Sequence, residues 1–252
     1  METEIKQKKP VQSLSVVIPA LNEEGNIQGS IDSVTSAAER YFDDYEIIIV
    51  NDGSTDHTLE IVHANMAKNP CIRVISHDRP WGFGASYHDG RSHATKTYTV
   101  MVHGDNAFDK ETLSNFFSNA GKADVICGYI SNPEARSWVR RAVSRTYTTG
   151  MNFLFGMRLK YFNGLQIHKT EWLQKANIQS DGFGFQAELL IKAIKEGYSY
   201  LQVPTVHTER PGGGHTKIFK LKNIRSVMRT VIELIRWNFK RGLRAKKELE
   251  HA

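Results

Sequence analysis

The run Glu46-Ile47-Ile48-Ile49-Val50, followed at once by Asn51-Asp52-Gly53-Ser54-Thr55-Asp56, constrains this chain more than any other stretch. A short β-branched run with no polar alternation reads as a strand covered on both faces, the kind found in parallel sheets. Asn-Asp-Gly-Ser stops it, and Ser54 or Thr55 is placed to cap a helix starting there. A carboxylate at the C-terminal end of such a strand stands where open α/β sheets bind ligands. Asp52 is therefore a candidate acceptor for a base N–H or a ribose hydroxyl. Asp-Gly pairs are also common as turns alone, so the neighbouring segments have to decide.

They repeat the theme. Leu14 to Ala20 reads as a strand ended by Pro19, and a helix opens at Asn22-Glu23-Glu24-Gly25-Asn26 and runs to about Tyr41. After the key turn comes a helix through Ile61, Val62 and Met66, then a strand at Ile72–Ile75. A glycine-bearing loop, Arg79 to Gly84, leads into another helix, and Thr97 to Val102 is a strand. Alternation of strand and helix with short links predicts right-handed crossovers and a mostly parallel sheet flanked by helices. The second half is less regular: a strand at 123–129, a helix at 136–156, extended chain at 158–168, a helix at 185–197 and a strand at 198–206 closed by Pro204. Thr208 to His215 reads as a flexible loop, and 217–247 as one or two basic amphipathic helices. The expected division is a disordered leader at 1–12, a catalytic domain at 13–216 and a helical tail at 217–252.

At 252 residues, 40% hydrophobic and 24% charged, the chain has the composition of a globular protein with a full core. Its net charge of +6 suits an anionic partner, or only a solvated surface. Cys71 and Cys127 lack metal-site spacing and read as structural thiols in a reducing cytosol. The polar, lysine-rich start is not expected to be a signal peptide, and no stretch approaches the roughly 18 apolar residues of a membrane span. A soluble or peripheral protein is expected.

In a parallel sheet the loops after the first strands share one edge. They carry Pro19 to Glu24, Asn51 to Ser54, Arg79 to Gly84, and His103-Gly104-Asp105-Asn106. A carboxylate-rich crevice that holds a phosphorylated ligand normally needs a divalent cation, and oxygen donors favour Mg²⁺ or Mn²⁺. Asp105 is the leading metal ligand. His103, two residues earlier on the same side of an extended chain, is either a second ligand or a strand-end histidine.

These segments, in this order, resemble family 2 glycosyltransferases of the Rossmann-like GT-A fold: Val-Val-Ile-Pro-Ala-Leu-Asn-Glu-Glu, Val-Asn-Asp-Gly-Ser-Thr-Asp, Gly82-Phe-Gly-Ala and His103-Gly-Asp-Asn. Asn163-Gly-Leu, Gly184-Phe-Gln-Ala-Glu188-Leu, Val203-Pro204, Glu209-Arg210 and a downstream Gly-His-Thr-Lys217 are similar to the dolichyl- or polyprenyl-phosphate sugar synthase branch. The resemblance spans about residues 13–220. It implies that Pro19, Ala20, Glu24, Asp52, Gly82 and Asp105 hold a GDP- or UDP-sugar, and that Asp105 is the last Asp of the family's Asp-x-Asp metal motif. Arg141, with Ser144 three residues on, and Arg210 with Lys217 would bind phosphate on the acceptor or leaving group. Glu188 matches a family acid beside the acceptor site. Three positions depart from the pattern: His103 replaces the first Asp of Asp-x-Asp, Ala107 a metal-binding Gln, and Tyr129-Ile130 stand where an Arg is often found.

The implied reaction is in-line, inverting displacement at the anomeric carbon, with Asp105, Glu188 and Arg210 as catalytic candidates. A phosphate acceptor is already an anion; a hydroxyl acceptor would need a base, for which Glu188 or Asp181 is placed. In the tail, Leu221, Ile224, Met228, Val231, Ile235 and Phe239 recur at three- and four-residue steps among lysines and arginines. Such a helix can lie in an anionic membrane interface with Trp237 at headgroup depth, or dock on the domain or a second subunit. The tail's aromatics fall in that stripe, so nucleic-acid binding is not expected. The reading is a peripheral, cytosolic-face transferase acting on polyprenyl phosphate. Its rivals are transfer to a hydroxyl acceptor and a catalytically weakened nucleotide-sugar binding protein.

Overall fold

The computed structural model describes residues 12–207 and 221–250, with side chains placed for 12–207 and 223–243. The leader (Gln12 aside), the 208–215 loop, Arg210 and Lys217 thus lie outside the described residues.

Three βα units come first: β1 (Leu14–Ala20), α1 (Ile27–Tyr41), β2 (Tyr45–Asn51), α2 (Thr58–Met66), β3 (Ile72–Ser76) and α3 (Phe83–Ser92). Then follow β4 (Tyr98–Met101), α4 (Lys110–Phe117), β5 (Val125–Ile130), α5 (Trp138–Phe155), β6 (Gln166–Lys169), α6 (Thr170–Lys175), α7 (Phe185–Lys195), β7 (Tyr200–Thr205) and α8 (Leu221–Glu250). The strands form one seven-stranded sheet in the order β3-β2-β1-β4-β6-β5-β7. Among the described strands only β6 runs antiparallel, pairing so with β4 and β5.

Alternate residues of the central strands feed two cores. Val16, Ile18, Ile47 and Ile49 join α1, α2 and α4 on one side, while Val17, Ile48 and Val50 join α3 and α5–α8 on the other. This period-2 partition is what an unbroken apolar strand allows when both faces are covered. Helix α3 lies tight on the sheet because Gly90 has no side chain: a methyl there would collide with Val17 and Val50.

The order reverses between β1 and β4, so a crevice opens at their C-terminal ends, the usual ligand site of open α/β sheets. Pro19 lies inside β1 instead of ending it. Its missing N–H leaves no gap, because β4 pairs only with Leu14 to Val17 and has turned away at that level. Neither Ser54 nor Thr55 caps α2; both are drawn to Asn22, and Asp56 accepts from the Thr58 N–H at 3.0 Å. The helices α4 and α6 were not legible in the sequence, and of the extended 158–168 segment only the β6 residues are strand. Both cysteines are free; Cys127 is buried and Cys71 half-buried.

Candidate active site

The parallel strands bring the predicted loops to one edge, where they are fastened to one another. Asn22, in the left-handed region at φ 55°, donates its N–H to Ser54 Oγ (3.0 Å) and accepts the Thr55 N–H on Oδ1 (2.8 Å). Glu24 accepts the His57 N–H at 3.0 Å, and the Asp52 N–H reaches the Ala20 carbonyl at 2.8 Å. The first and second loops therefore form one rim.

Asp52 is built into the wall of the crevice. Its carboxylate is buried; Oδ1 accepts the Trp81 N–H and His77 Nδ1, each at 2.8 Å, and Oδ2 accepts the Gly82 N–H at 2.9 Å. His77 Nε2 lies 3.0 Å from Asp89, and the imidazole stacks on the Trp81 indole with centroids 3.8 Å apart. Burial pushes the Asp52 carboxyl up, but hydrogen bonds from His77, Trp81, Gly82 and Ser86 outweigh it and hold it below the usual range. Burial pushes His77 down, and its two carboxylate partners more than reverse this. Gly53 (φ 71°) lets the 79–82 loop close over the turn, since a Cβ there would sit 2.8 Å from the Arg79 backbone. Asp52 thus orders the glycine loop as well as standing where a nucleotide ligand was expected. His77 and Asp89 were missed in the sequence; the only signal was that His77 directly follows β3 at the crevice edge.

The β4 end completes the floor. The His103 carbonyl accepts the Ser30 hydroxyl at 2.8 Å, and its ring stacks on Phe83, centroids 4.9 Å apart, joining this turn to the glycine loop. Gly104 packs on the Pro19 carbonyl, where a Cβ would approach to 3.2 Å. Asp105 is buried, and Oδ1 accepts the Ala107 N–H at 3.3 Å. Ala107 is packed in the core with α4. Among the described residues no three His, Cys, Asp or Glu side chains gather into a metal cage. One carboxylate at the crevice still fits Mg²⁺ or Mn²⁺, which are commonly held by one or two carboxylates and completed by substrate phosphates.

Glu188 is partnered by the loop that precedes its helix. It is buried on α7, its oxygens accepting the Gln179 and Ser180 N–H groups (both 3.0 Å) and Lys192 Nζ (2.6 Å). These bonds tie the carboxylate to the 177–182 loop, which Glu188 anchors. That loop touches the glycine loop: the Gly84 N–H donates to the Asp181 carbonyl at 3.2 Å. Arg141 is exposed on α5.

The model for glycosyl transferase family 2 matches residues 15–183, which span β1 to the loop anchored by Glu188. The chain is a family 2 glycosyltransferase. This glycosyltransferase is 30% identical over 241 residues to polyprenol monophosphomannose synthase of Mycolicibacterium smegmatis, covering 89% of this chain and 88% of that one. Its fold matches Mycobacterium tuberculosis glucosyl-3-phosphoglycerate synthase with bound uridine diphosphate (TM-score 0.68, 21% identity, 89% and 80% of the two chains). The same enzyme with Mn²⁺, uridine diphosphate and glucosyl-3-phosphoglycerate gives a TM-score of 0.65 at 21% identity, over 88% and 79%. The GT-A assignment of the glycosyltransferase rests on these matches and on the switch-point crevice.

Proposed function

We propose that this glycosyltransferase moves a sugar from a GDP- or UDP-sugar to a polyprenyl phosphate, with inversion, at the cytosolic face of a membrane. The observation that carries the reading is the similarity to a polyprenol monophosphomannose synthase over nearly the whole of both chains. Solved structures of the same fold hold uridine diphosphate with Mn²⁺ or Mg²⁺, which supports a metal-assisted donor site here.

In this reading the Pro19–Ala20 end of β1, Glu24, Asp52 and Gly82 frame the base and ribose, and Asp105 faces the diphosphate. Asp105 would hold Mg²⁺ or Mn²⁺, with His103 as its second protein donor; the bound ion would neutralise charge on the leaving diphosphate. Arg141, with Arg210 and Lys217 from outside the described residues, orients the acceptor phosphate. That anion needs positioning more than proton removal, which fits a site whose Glu188 is committed to a loop.

Helix α8 supports the membrane part. One side is seated on the domain through Thr230, Leu234 and Trp237, with Thr230 Oγ1 2.9 Å from Ser180 Oγ and Lys192 over the Trp237 ring at 5.5 Å. The opposite side exposes Ile224, Met228, Ile232, Ile235 and Phe239, flanked by Arg225, Arg229, Arg236 and Lys240. Val231, counted by its spacing in the apolar stripe, is turned towards the body, and so is Trp237, which sits under Lys192 and not at the headgroup depth expected of it. No described helix is long and apolar enough to cross a membrane, and an interfacial helix needs no such length of apolar chain.

A second reading, transfer to a hydroxyl, is favoured by the fold's occurrence with phosphoglyceric acid bound; Asp181 would then be the base. The test offers the full chain a short polyprenyl phosphate with Mn²⁺ or Mg²⁺ and, separately, GDP-mannose, UDP-glucose, UDP-galactose and UDP-N-acetylglucosamine. A glycosylated lipid seen by mass, lost in Asp105→Ala, is the expected result. Nucleotide release without lipid product would replace it with the hydroxyl reading; nucleotide binding without turnover would leave a binding protein.

A further inference from the structure

Helix α5 is amphipathic in the wrong sense for a surface helix. At about 100° per residue, Tyr147, Met151 and Phe155 share the side packed into the core around α7 and α8. The outward side is occupied by Trp138, Val139, Ala142, Val143, Phe153 and Leu154, with Thr146, Thr149 and Gly150 between them, and holds no charged residue. Trp138 is 73% exposed and Phe153 is 88% exposed. Isolated exposed apolar residues are ordinary, but an uncharged helix side with large apolar residues clustered at both ends marks a surface that meets something other than water. Arg141 and Arg145 line one flank of the stripe, and α5 contains no acidic residue at all. Helix α5 also lies against α8, whose own outward side repeats the arrangement of an apolar stripe beside a row of cations.

We propose that the outward face of α5 is a docking surface for an anionic lipid bilayer, with Trp138 and Phe153 entering the interface and Arg141 and Arg145 at the level of the lipid phosphates. The charge pattern selects this occupant. An apolar stripe edged by cations matches the acyl boundary and the anionic headgroups above it. A nucleic acid would leave the apolar stripe uncovered, and a second copy of the same face would set arginines against arginines. The inference rests on the membrane reading of this enzyme and adds to it. It adds α5 to the binding surface and puts the expected acceptor-phosphate ligand, Arg141, at the depth where a lipid phosphate lies.

The test is co-sedimentation of the full chain with phosphatidylcholine vesicles, with and without phosphatidylglycerol. It compares wild type, Trp138→Glu with Phe153→Glu, and a charge-matched control, Ser36→Glu with Asn115→Glu, at exposed sites on the other side of the sheet. All the substituted side chains are exposed, and circular dichroism verifies that each variant is folded. Each apolar side chain taken from a bilayer to water is worth about a tenfold change in partitioning or more. The expected result is binding that depends on phosphatidylglycerol, falls at least about tenfold in the α5 variant and is kept in the control. Transfer to a short polyprenyl phosphate in detergent should be retained in the α5 variant. Equal vesicle binding by wild type and α5 variant would overturn the inference and leave the membrane reading standing. Failure of wild type to bind any vesicle would overturn the membrane reading itself. Loss of a dimer, or of nucleic-acid binding, in the α5 variant with vesicle binding intact would reassign the surface.

Discussion

The Nδ1 atom of His77 lies 2.8 Å from the Asp52 carboxylate, joining the residue that follows β3 to the turn that follows β2. Because Asp52 also takes the Trp81 and Gly82 N–H groups, the contact fixes the glycine loop beside the crevice. Removing a buried, charge-assisted hydrogen bond of this kind costs about 1.5–3 kcal/mol. His77→Gln should therefore lower stability by about that amount and raise the donor KM more than it lowers kcat, as measured by urea unfolding and donor titration.

The same pair predicts a pH window. His77 is raised above its ordinary 6.5, so its stabilisation is complete below 6.5 and is lost as pH rises through the raised folded value. Asp52 is lowered below its ordinary 3.8, so its stabilisation is present above 3.8 and is lost as pH falls through the lowered folded value. The difference in Tm between wild type and His77→Gln should be greatest between these limits and shrink on both sides. A difference that is flat with pH would refute the linkage.

Glu188 and Lys192 form a buried pair at 2.6 Å. Breaking such a pair by removing one partner costs about 3–5 kcal/mol, because the other charge is left buried. Glu188→Gln should destabilise by an amount approaching that range, and Lys192→Met on top of it should cost much less than the sum. A double-mutant cycle in urea measures the coupling. Additive effects would show that Glu188 is held by the loop N–H groups alone.

Asp105→Asn should leave the fold intact and reduce transfer by about two to three orders of magnitude, the scale seen when one group stabilising a leaving charge is removed. Chelation of divalent cations should abolish wild-type transfer and Mn²⁺ should restore it. Full activity in chelator would remove the metal from the reaction.

Two glycines separate backbone from side-chain crowding. A methyl at Gly84 would meet the Asp181 carbonyl at 2.5 Å, whereas at Gly182 it would meet the Ser226 hydroxyl, which can rotate away. Gly84→Ala should cost about 1–3 kcal/mol and weaken donor binding, while Gly182→Ala should cost roughly 0.5 kcal/mol or less. Urea midpoints of the two variants test the order.

What could be read from the sequence was local. The runs that became β1 to β4, the turns at Asn51 and His103 and the glycine loop at 82–84 are recognisable from neighbouring residues, because strand period and turn chemistry act within a few positions. Since parallel strands point the same way, their shared edge could be foreseen as well. Helix α4 escaped notice as an eight-residue element with a mixed pattern, although its cap, Asp109 accepting the Thr112 N–H at 2.8 Å, is a local signal. Strand β6 is four residues long, and nothing local to it announces that it runs against its neighbours.

The sequence by itself determined the order of elements, the edge of the sheet at which the crevice lies and the family to which the chain belongs. Only the tertiary structure decided that His77 holds Asp52 across 25 positions, that Glu188 anchors a loop, and which sides of α5 and α8 face outward. Each of these depends on what a side chain meets from a distant segment. Burial and hydrogen-bond saturation are properties of that meeting, and a carboxylate or an apolar stripe has no fixed role until the neighbouring element is in place.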